Sequence, residues 1–501
     1  MTDIFCLLNN ENNIIFKNKD IINSFSQEYL FKYNITNLKD FYKLQILINT
    51  NYLSIDGIEI ICNGIIYNYS EVYTLLNITP ATNNSNEIII HLYKLYGIKQ
   101  TLNIIDGSFS FILIDNRISQ KETNCKVYIC KDPFGTIPIY FFKIPIYNSY
   151  IYAISSNLQI LKKLSTYSND YLIEYNTFKS SSYSCFILEI KALSYWELKK
   201  QNIIYYIPNN LNLKTINQDF FNQTIYYLNQ SIIKKYSYTK TFNNAFLLTC
   251  DVTNILLAYY FIQNKINITF FIIGIENSKK LIYIKKVADF LNIKYIEIKI
   301  SIYDFNETYN YIKNNLLNTL LNGFNSISYN KSFSNLLNQE KEEKVFTYLF
   351  SKYLKENSNN NFIYSSFGGN EIFAISKNEK IINDNIFLYD KNIRSNIKNI
   401  SKSLDYIYFF NCMNHNNINI IFPFLDKNFI NFYLSSHLIV KNNDVLTNND
   451  VSTNNEEKKQ STLLFEKTEL NKDYKKISCF LDYNTFSTFN LLTYFSFDIS
   501  K

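Results

Sequence analysis

Glycine is conspicuously scarce in this sequence. The chain of 501 residues holds nine, where an average composition of about 7% would give roughly 35. Collagen-like and glycine-linker architectures are excluded. So are a P-loop and a G-x-G-x-x-G dinucleotide turn, because no glycines stand at those spacings. Arginine is scarcer still: Arg117 and Arg394 are the only two, so nearly all positive charge is lysine. This slant fits an A/T-rich coding sequence and makes bulk composition a poor guide to function. No C-x-x-C spacing occurs among the eight cysteines, which lie mostly inside apolar runs. They read as buried free thiols in a reducing compartment, not as a disulfide frame or a zinc site. No predominantly apolar run reaches the ~18 residues of a membrane span. The uncharged stretch 406–425 carries Asn411, Asn414, His415, Asn416, Asn417 and Asn419, too polar for that role. No basic segment opens the chain as in a signal peptide. A cytoplasmic protein with no membrane partner is expected.

What is present is Ile, Asn, Lys, Tyr and Phe in abundance, with 47% hydrophobic and 19% charged residues, a globular composition. The net charge of +7 comes from 50 basic and 43 acidic residues. The lysines are dispersed beside Asp, Glu and Asn, so no nucleic-acid-binding patch stands out. The length suggests two or three domains.

The first ~200 residues read mainly as β, with short apolar runs at 4–8, 58–66, 108–114, 127–131, 137–142 and 150–155 bounded by Asn, Asp, Gly or Pro. Helical periodicity occurs at 86–96 and 157–164. Beyond residue 210 the rhythm changes. A helix over 218–235 precedes a strand at 245–249, a helix at 252–264, a strand at 268–274, a helix at 279–291 and a strand at 294–300. This βαβαβ order predicts a parallel, doubly wound sheet with ligands at the strand carboxyl ends. Further helices are predicted at 303–321, 341–355 and 400–409, with a strand at 361–365. The polar segment 441–461 reads as an exposed insert. Two domains follow, 1–205 and 215–501.

Several motifs resemble those of glutamine-dependent asparagine synthetases. Ile61-Cys62-Asn63-Gly64-Ile65-Ile66-Tyr67-Asn68-Tyr69 resembles I-C-N-G-E-I-Y-N-Y. Asn84-Ser85-Asn86-Glu87-Ile88-Ile89-Ile90-His91-Leu92-Tyr93 resembles S-D-C-E-V-I-I-H-L-Y. Asp106-Gly107-Ser108-Phe109-Ser110-Phe111 resembles D-G-V-F-A-F, Lys131-Asp132-Pro133-Phe134-Gly135 resembles R-D-P-F-G, and Phe422-Pro423-Phe424-Leu425-Asp426 resembles V-P-F-L-D. The matches keep their order over about residues 1–435. The resemblance implies an α/β two-domain fold. An N-terminal-nucleophile (Ntn) αββα glutaminase-like domain would be followed by a doubly wound PP-loop synthetase domain. It also implies glutamine, aspartate and ATP as small-molecule substrates, Mg²⁺ as the accompanying metal, and a homodimer or a partner subunit.

Carried over position by position, the resemblance places Thr2 at the glutaminase nucleophile, where the family has an N-terminal cysteine activated by its own amine. Threonine can act through the same amine, although Asp3 adds a charge beside it. Asn63 and Gly64 fall at the oxyanion hole. Lys43 falls where an arginine pairs with the glutamine carboxylate, and Ile65 and Ser85 where two carboxylates meet its amino group. In the second half the S-G-G-L-D-S pyrophosphate loop becomes Thr249-Cys250-Asp251-Val252-Thr253-Asn254, with neither glycine. Leu248 and Ile273 fall at positions flanking adenine. The S-G-E-G-[SA]-D-E motif becomes Ser365-Ser366-Phe367-Gly368-Gly369-Asn370-Glu371, keeping Glu371, which a surface glutamate would also explain. Thr253, Phe367 and Asn370 replace metal-facing acids, Ile421 replaces an arginine, and Lys280 an acidic residue. No metal ligand set is assigned. Three readings follow: a homologue impaired in catalysis, an active divergent synthetase, and an interaction or regulatory partner without catalysis. Fold-forming Pro133, Gly135, Pro423 and Asp426 persist while chemical positions change, which favours the first.

Overall fold

The computed structural model describes residues 4–10, 35–41, 44–49, 52–82, 84–117, 125–146, 149–156, 161, 184–191, 195–204, 220–313, 341–373 and 386–435. The segment 441–461, and the helix expected at 157–164 apart from Leu161, lie outside them. The chain separates into two units, Met1–Ile207 with Asn310–Lys341, and Pro208–Tyr309 with Glu342–Lys501.

The first unit is built on two antiparallel sheets. Its elements run β1 (Phe5–Asn10), β2 (Ile35–Phe41), β3 (Leu44–Asn49), β4 (Leu53–Ile55), β5 (Ile58–Ile66), α1 (Tyr69–Leu76), α2 (Glu87–Ile104), β6 (Gly107–Asp115), β7 (Lys126–Lys131), β8 (Tyr140–Ile146), β9 (Ser149–Ser155), β10 (Ser184–Lys191) and β11 (Tyr195–Ile204). One sheet has the order β2-β3-β1-β9-β8 and the other β11-β10-β7-β6-β5-β4. Alternation along the strands sends every second side chain inward. Ile4, Cys6 and Leu8 at β1 thereby meet Ile61, Ile112, Ile114, Val127 and Ile129 of the six-stranded sheet, with Phe141, Tyr152 and Ile154 closing the same core. The two sheets form a sandwich around it.

Two boundaries differ from expectation in this unit. The strand expected at 137–142 begins only at Tyr140. Residues before it wrap Asp132, whose carboxylate accepts from the amides of Phe134 (2.9 Å) and Thr136 (2.9 Å) and from the Thr136 hydroxyl (2.7 Å), and Pro138 has no N–H for a ladder. The helix expected to end at residue 96 continues to Ile104 across Gly97, which bends it with φ 71° and ψ 172°.

In the second unit α3 (Phe220–Thr239), β12 (Asn244–Leu247), α4 (Val252–Gln263), β13 (Thr269–Ile275), α5 (Lys279–Phe290), β14 (Tyr295–Ile300) and α6 (Ile302–Tyr311) precede α7 (Lys341–Asn357), β15 (Phe362–Tyr364), α8 (Gly369–Ile372), α9 (Ile386–Asn399), α10 (Leu404–His415), β16 (Asn419–Ile421) and α11 (Lys427–Ser435). All the pairings are parallel, in the order β14-β13-β12-β15-β16. Strands covered on both faces need continuous apolar runs, and Phe270, Phe271, Ile272 and Ile273 of β13 are all buried. The chain moves outward from β12 through β13 to β14, then returns to the other side of β12 for β15 and β16. The crevice beyond the carboxyl ends of β12 and β15 is therefore the switch point at which such sheets bind ligands.

The helix expected at 400–409 is corrected: Ile400–Lys402 is a short 3₁₀ turn, and α10 begins after Ser403, whose hydroxyl accepts from the Tyr406 amide at 3.2 Å. A serine cap here outweighs the apolar periodicity across it. The predicted helix at 303–321 is described only to residue 313.

Candidate functional site

In the first unit the candidate residues cluster at the last turns of β5 and the first residues of β6. The ladder sets Asn63 opposite Ser110, Gly64 opposite Phe109 and Ile65 opposite Ser108, and Ser110 in turn opposite Lys131 of β7. The row Asn63–Ser110–Lys131 lies two residues along from Ile61–Ile112–Ile129, and so on the same inner face as the core. All three are buried, Asn63 at 1%, Ser110 at 0% and Lys131 at 5% exposure. Among the described residues, neither Asn63 Oδ1 nor Ser110 Oγ has a hydrogen-bond partner. Gly64 is required here: φ is +140°, and a Cβ would stand 2.2 Å from the Ser108 carbonyl oxygen. Ile65 is buried and offers a cationic group nothing.

Ser85 sits half-buried in the turn before α2. Beside it, Glu87 holds that turn with hydrogen bonds from the amides of Ala81 (2.7 Å) and Thr82 (2.6 Å) and from the Thr82 hydroxyl (2.5 Å), and it meets His91 Nε2 at 3.0 Å. Burial alone would raise this carboxyl, but those bonds bring it down to about 2. Thr2 and Lys43 lie outside the described residues.

In the second unit the switch-point crevice is bordered by the turn after β12 and the turn after β15. Asn254 closes the first turn on itself: its Oδ1 accepts from the Thr249 amide at 2.9 Å and its Nδ2 donates to the Leu247 carbonyl at 3.0 Å. Asp251 is the N-cap of α4. The Thr253 hydroxyl lies 2.8 Å from Asp251 Oδ2 and 3.1 Å from Asn370 Oδ1, so it can donate to either carboxylate or amide across the two turns. Gly369 lets them approach this closely, since a Cβ there would stand 2.8 Å from Thr253 Cβ. Burial raises the Asp251 carboxyl above the usual range against the hydrogen bonds from Thr253 and Asn370, and the charge of Glu343 adds to the rise. Glu371 is not a bare surface residue. It accepts from the Gly368 amide at 3.1 Å, and burial with the nearby Asp251 and Asp405 charges raises its carboxyl.

Leu248 and Ile273 are both buried in the sheet core, and the Leu248 amide bonds the Phe271 carbonyl at 2.8 Å. Ser365 is buried and donates its amide to the Ile421 carbonyl at 2.9 Å, and Ser366 is half-buried. Phe367 packs on Tyr406 and Phe409, with ring centroids 5.5 and 5.1 Å away. Lys280 pairs with Glu342 at 3.4 Å, and Cys250 beside it is pushed up to about 11, mainly by burial. Among the described residues no group of three or more His, Cys, Asp or Glu could hold a metal ion. Sequence reasoning missed Ser110 as a site residue, although its place opposite Asn63 followed from two adjacent strands in register.

Residues 53–163 match the model of a glutamine amidotransferase domain. The golden hamster asparagine synthetase [glutamine-hydrolyzing] (Mesocricetus auratus) is 38% identical over 78 residues, covering 16% of this chain and 13% of that protein. Its human counterpart (Homo sapiens) is 36% identical over the same length. A probable asparagine synthetase [glutamine-hydrolyzing] of Acanthamoeba polyphaga mimivirus is 24% identical over 396 residues, 75% of this chain and 64% of the viral protein. The chain thus spans less than two thirds of each of these relatives.

Proposed function

For this chain, a relative of the glutamine-hydrolysing asparagine synthetases, we propose an asparagine synthetase-like role in which the second unit no longer activates aspartate with ATP. The first unit, an Ntn-type glutaminase-like domain in this reading, keeps Asn63 and Gly64 at the position of the oxyanion hole. The second is a PP-loop-type domain whose ancestral reaction is ATP-dependent amidation of aspartate by glutamine-derived ammonia.

The observation that carries the reading is the Asp251–Thr253–Asn370 arrangement at the switch point. A pyrophosphate there needs free backbone amides and flexible glycines at the helix N-terminus. The turn instead presents a carboxylate at the N-cap of α4, and the Thr249 amide is engaged by Asn254. Mg²⁺ would need carboxylates where Thr253, Phe367 and Asn370 stand. The residues present do not fit ATP·Mg²⁺. The packing of Phe367 on Tyr406 and Phe409 supports the same reading, because an apolar ring in aromatic contact stands where the reaction would need a metal-facing carboxylate.

The test is aspartate-dependent pyrophosphate release by the purified full chain, supplied with ATP, Mg²⁺ and ammonia. No release above background is expected. Turnover that requires aspartate would overturn the proposal.

A further inference from the structure

We propose that the Asn254 carboxamide is an internal stand-in for an anion: it braces the turn after β12, makes that turn stable without a ligand, and closes it to phosphate-type ligands. This rests on the loss of aspartate activation proposed for the second unit, and it names the side chain that excludes pyrophosphate.

An anion held at a strand–turn–helix junction accepts from backbone amides of the turn and of the first helical residues. Here several of those donors are already directed inward. Asn254, the third residue of α4 and 5% exposed, accepts at Oδ1 from the Thr249 amide at 2.9 Å. The Asp251 amide donates to the Thr249 hydroxyl at 3.3 Å, and the Val252 amide donates to the Asp251 carboxylate. The other end of the Asn254 side chain donates from Nδ2 to the Leu247 carbonyl at 3.0 Å, at the last residue of β12. One planar group thus ties strand end, turn and helix together. A carboxamide suits this because it carries an acceptor and a donor on separate atoms of one rigid group. An aspartate would set a second acceptor against the Leu247 carbonyl. A serine, which stands at this place in S-G-G-L-D-S, has a single oxygen and a shorter reach. The Asn254 carbonyl oxygen brings to the Thr249 N–H the partial negative charge that an anion would bring, without a net charge. Asp251 at the N-cap adds a carboxylate that repels an anion approaching the same turn.

The probe is inorganic pyrophosphate, titrated calorimetrically into the full chain and followed by thermal melting. The parent should show neither a heat of binding nor a rise in melting temperature. Asn254→Ser should lower the melting temperature without ligand by about 2–6 °C, because the Thr249 amide and the Leu247 carbonyl lose their partner. Adding Asp251→Asn removes the N-cap charge, and pyrophosphate should then bind at least about tenfold tighter than to the parent and raise the melting temperature. Asp251→Asn alone should stay well short of that gain. A double variant that ignores pyrophosphate, or equal binding by Asp251→Asn alone, would overturn the role of Asn254 and leave the loss of aspartate activation intact. Pyrophosphate bound by the parent would overturn both. Should the variants fail to fold, hydrogen exchange in the parent decides. The Thr249 amide should be protected without ligand and no more so with pyrophosphate, and free exchange there would overturn the brace.

Discussion

The two candidate sites differ in place, the first inside the β5–β6 ladder and the second in the turns after β12 and β15, and their polar groups are arranged in opposite ways. In the β5–β6 ladder, Asn63 and Ser110 are buried, and among the described residues Asn63 Oδ1 and Ser110 Oγ are unmatched. At the end of β12, Thr249, Asp251, Thr253, Asn254 and Asn370 are engaged with one another. A site that binds a ligand must leave groups unsatisfied until the ligand comes. A turn whose groups satisfy each other has lost that need and gained local stability. The contrast extends to charge: Glu87 in the first unit is held well below the ordinary carboxylate range by its donors, whereas Asp251 in the second is raised by burial.

The hardest blow to the first site should come from Gly64→Val. With φ at +140° and a carbonyl 2.2 Å from any Cβ, the strand must shift or separate, and a loss beyond about 3 kcal/mol is expected. The single tryptophan, Trp196 in β11 of the same unit, provides the fluorescence signal for urea unfolding. An unchanged midpoint would show that the close approach of β5 and β6 is dispensable.

Glu87→Gln should cost less, about 1–3 kcal/mol at neutral pH, through charge-assisted bonds replaced by neutral ones and an amide donor set against Ala81 and Thr82. The folded carboxyl lies near 2 against a reference of 4.5, so its contribution is full above that reference and is lost as pH falls toward 2. The parent should therefore lose stability over that window more steeply than the variant. Equal slopes would remove Glu87 as the cause.

The smallest effect should be Asp251→Asn in the second unit. The folded carboxyl is raised above 3.8, so the charged form costs stability above its folded value and that cost is relieved as pH falls. The variant should melt at the same temperature as the parent or slightly higher at pH 7, with the gap closing in acid. A large loss at pH 7 would mean that the carboxylate braces the turn, and it would weaken the contrast between the sites.

Much of this architecture was legible in the sequence. The strand at 58–66 coincides with β5, and the alternation β12–α4–β13–α5–β14 follows the expected order, because long periodic or apolar segments carry their own signal. The three-residue strands β15 and β16 carry little such signal; β16 was missed, since Asn419–Ile421 becomes a strand only through parallel pairing with Phe362–Tyr364. Helix α9 was missed as well: Ile393 and Ile397 are buried, but asparagines and lysines interrupt the stripe. At the sites, the sequence indicated which residue types had changed. It could not indicate that Thr253 reaches both Asp251 and, 117 positions away, Asn370, nor that Ser110 Oγ is left without a partner among the described residues. Those facts depend on side-chain geometry set by distant packing.

Near the end of the described chain, Asp426 lies buried between Lys234 and Lys235 of α3, and the Ser231 hydroxyl donates to the Pro423 carbonyl at 2.6 Å. These contacts bind the first helix of the second unit to its last described turn and helix, about 190 residues later in the chain. On the ribosome, Lys235 would emerge long before its carboxylate partner exists. Its closing partner arrives only after the whole parallel sheet has been synthesised, so this unit is expected to mature late and as a block, with a chaperone-sensitive interval while α3 waits.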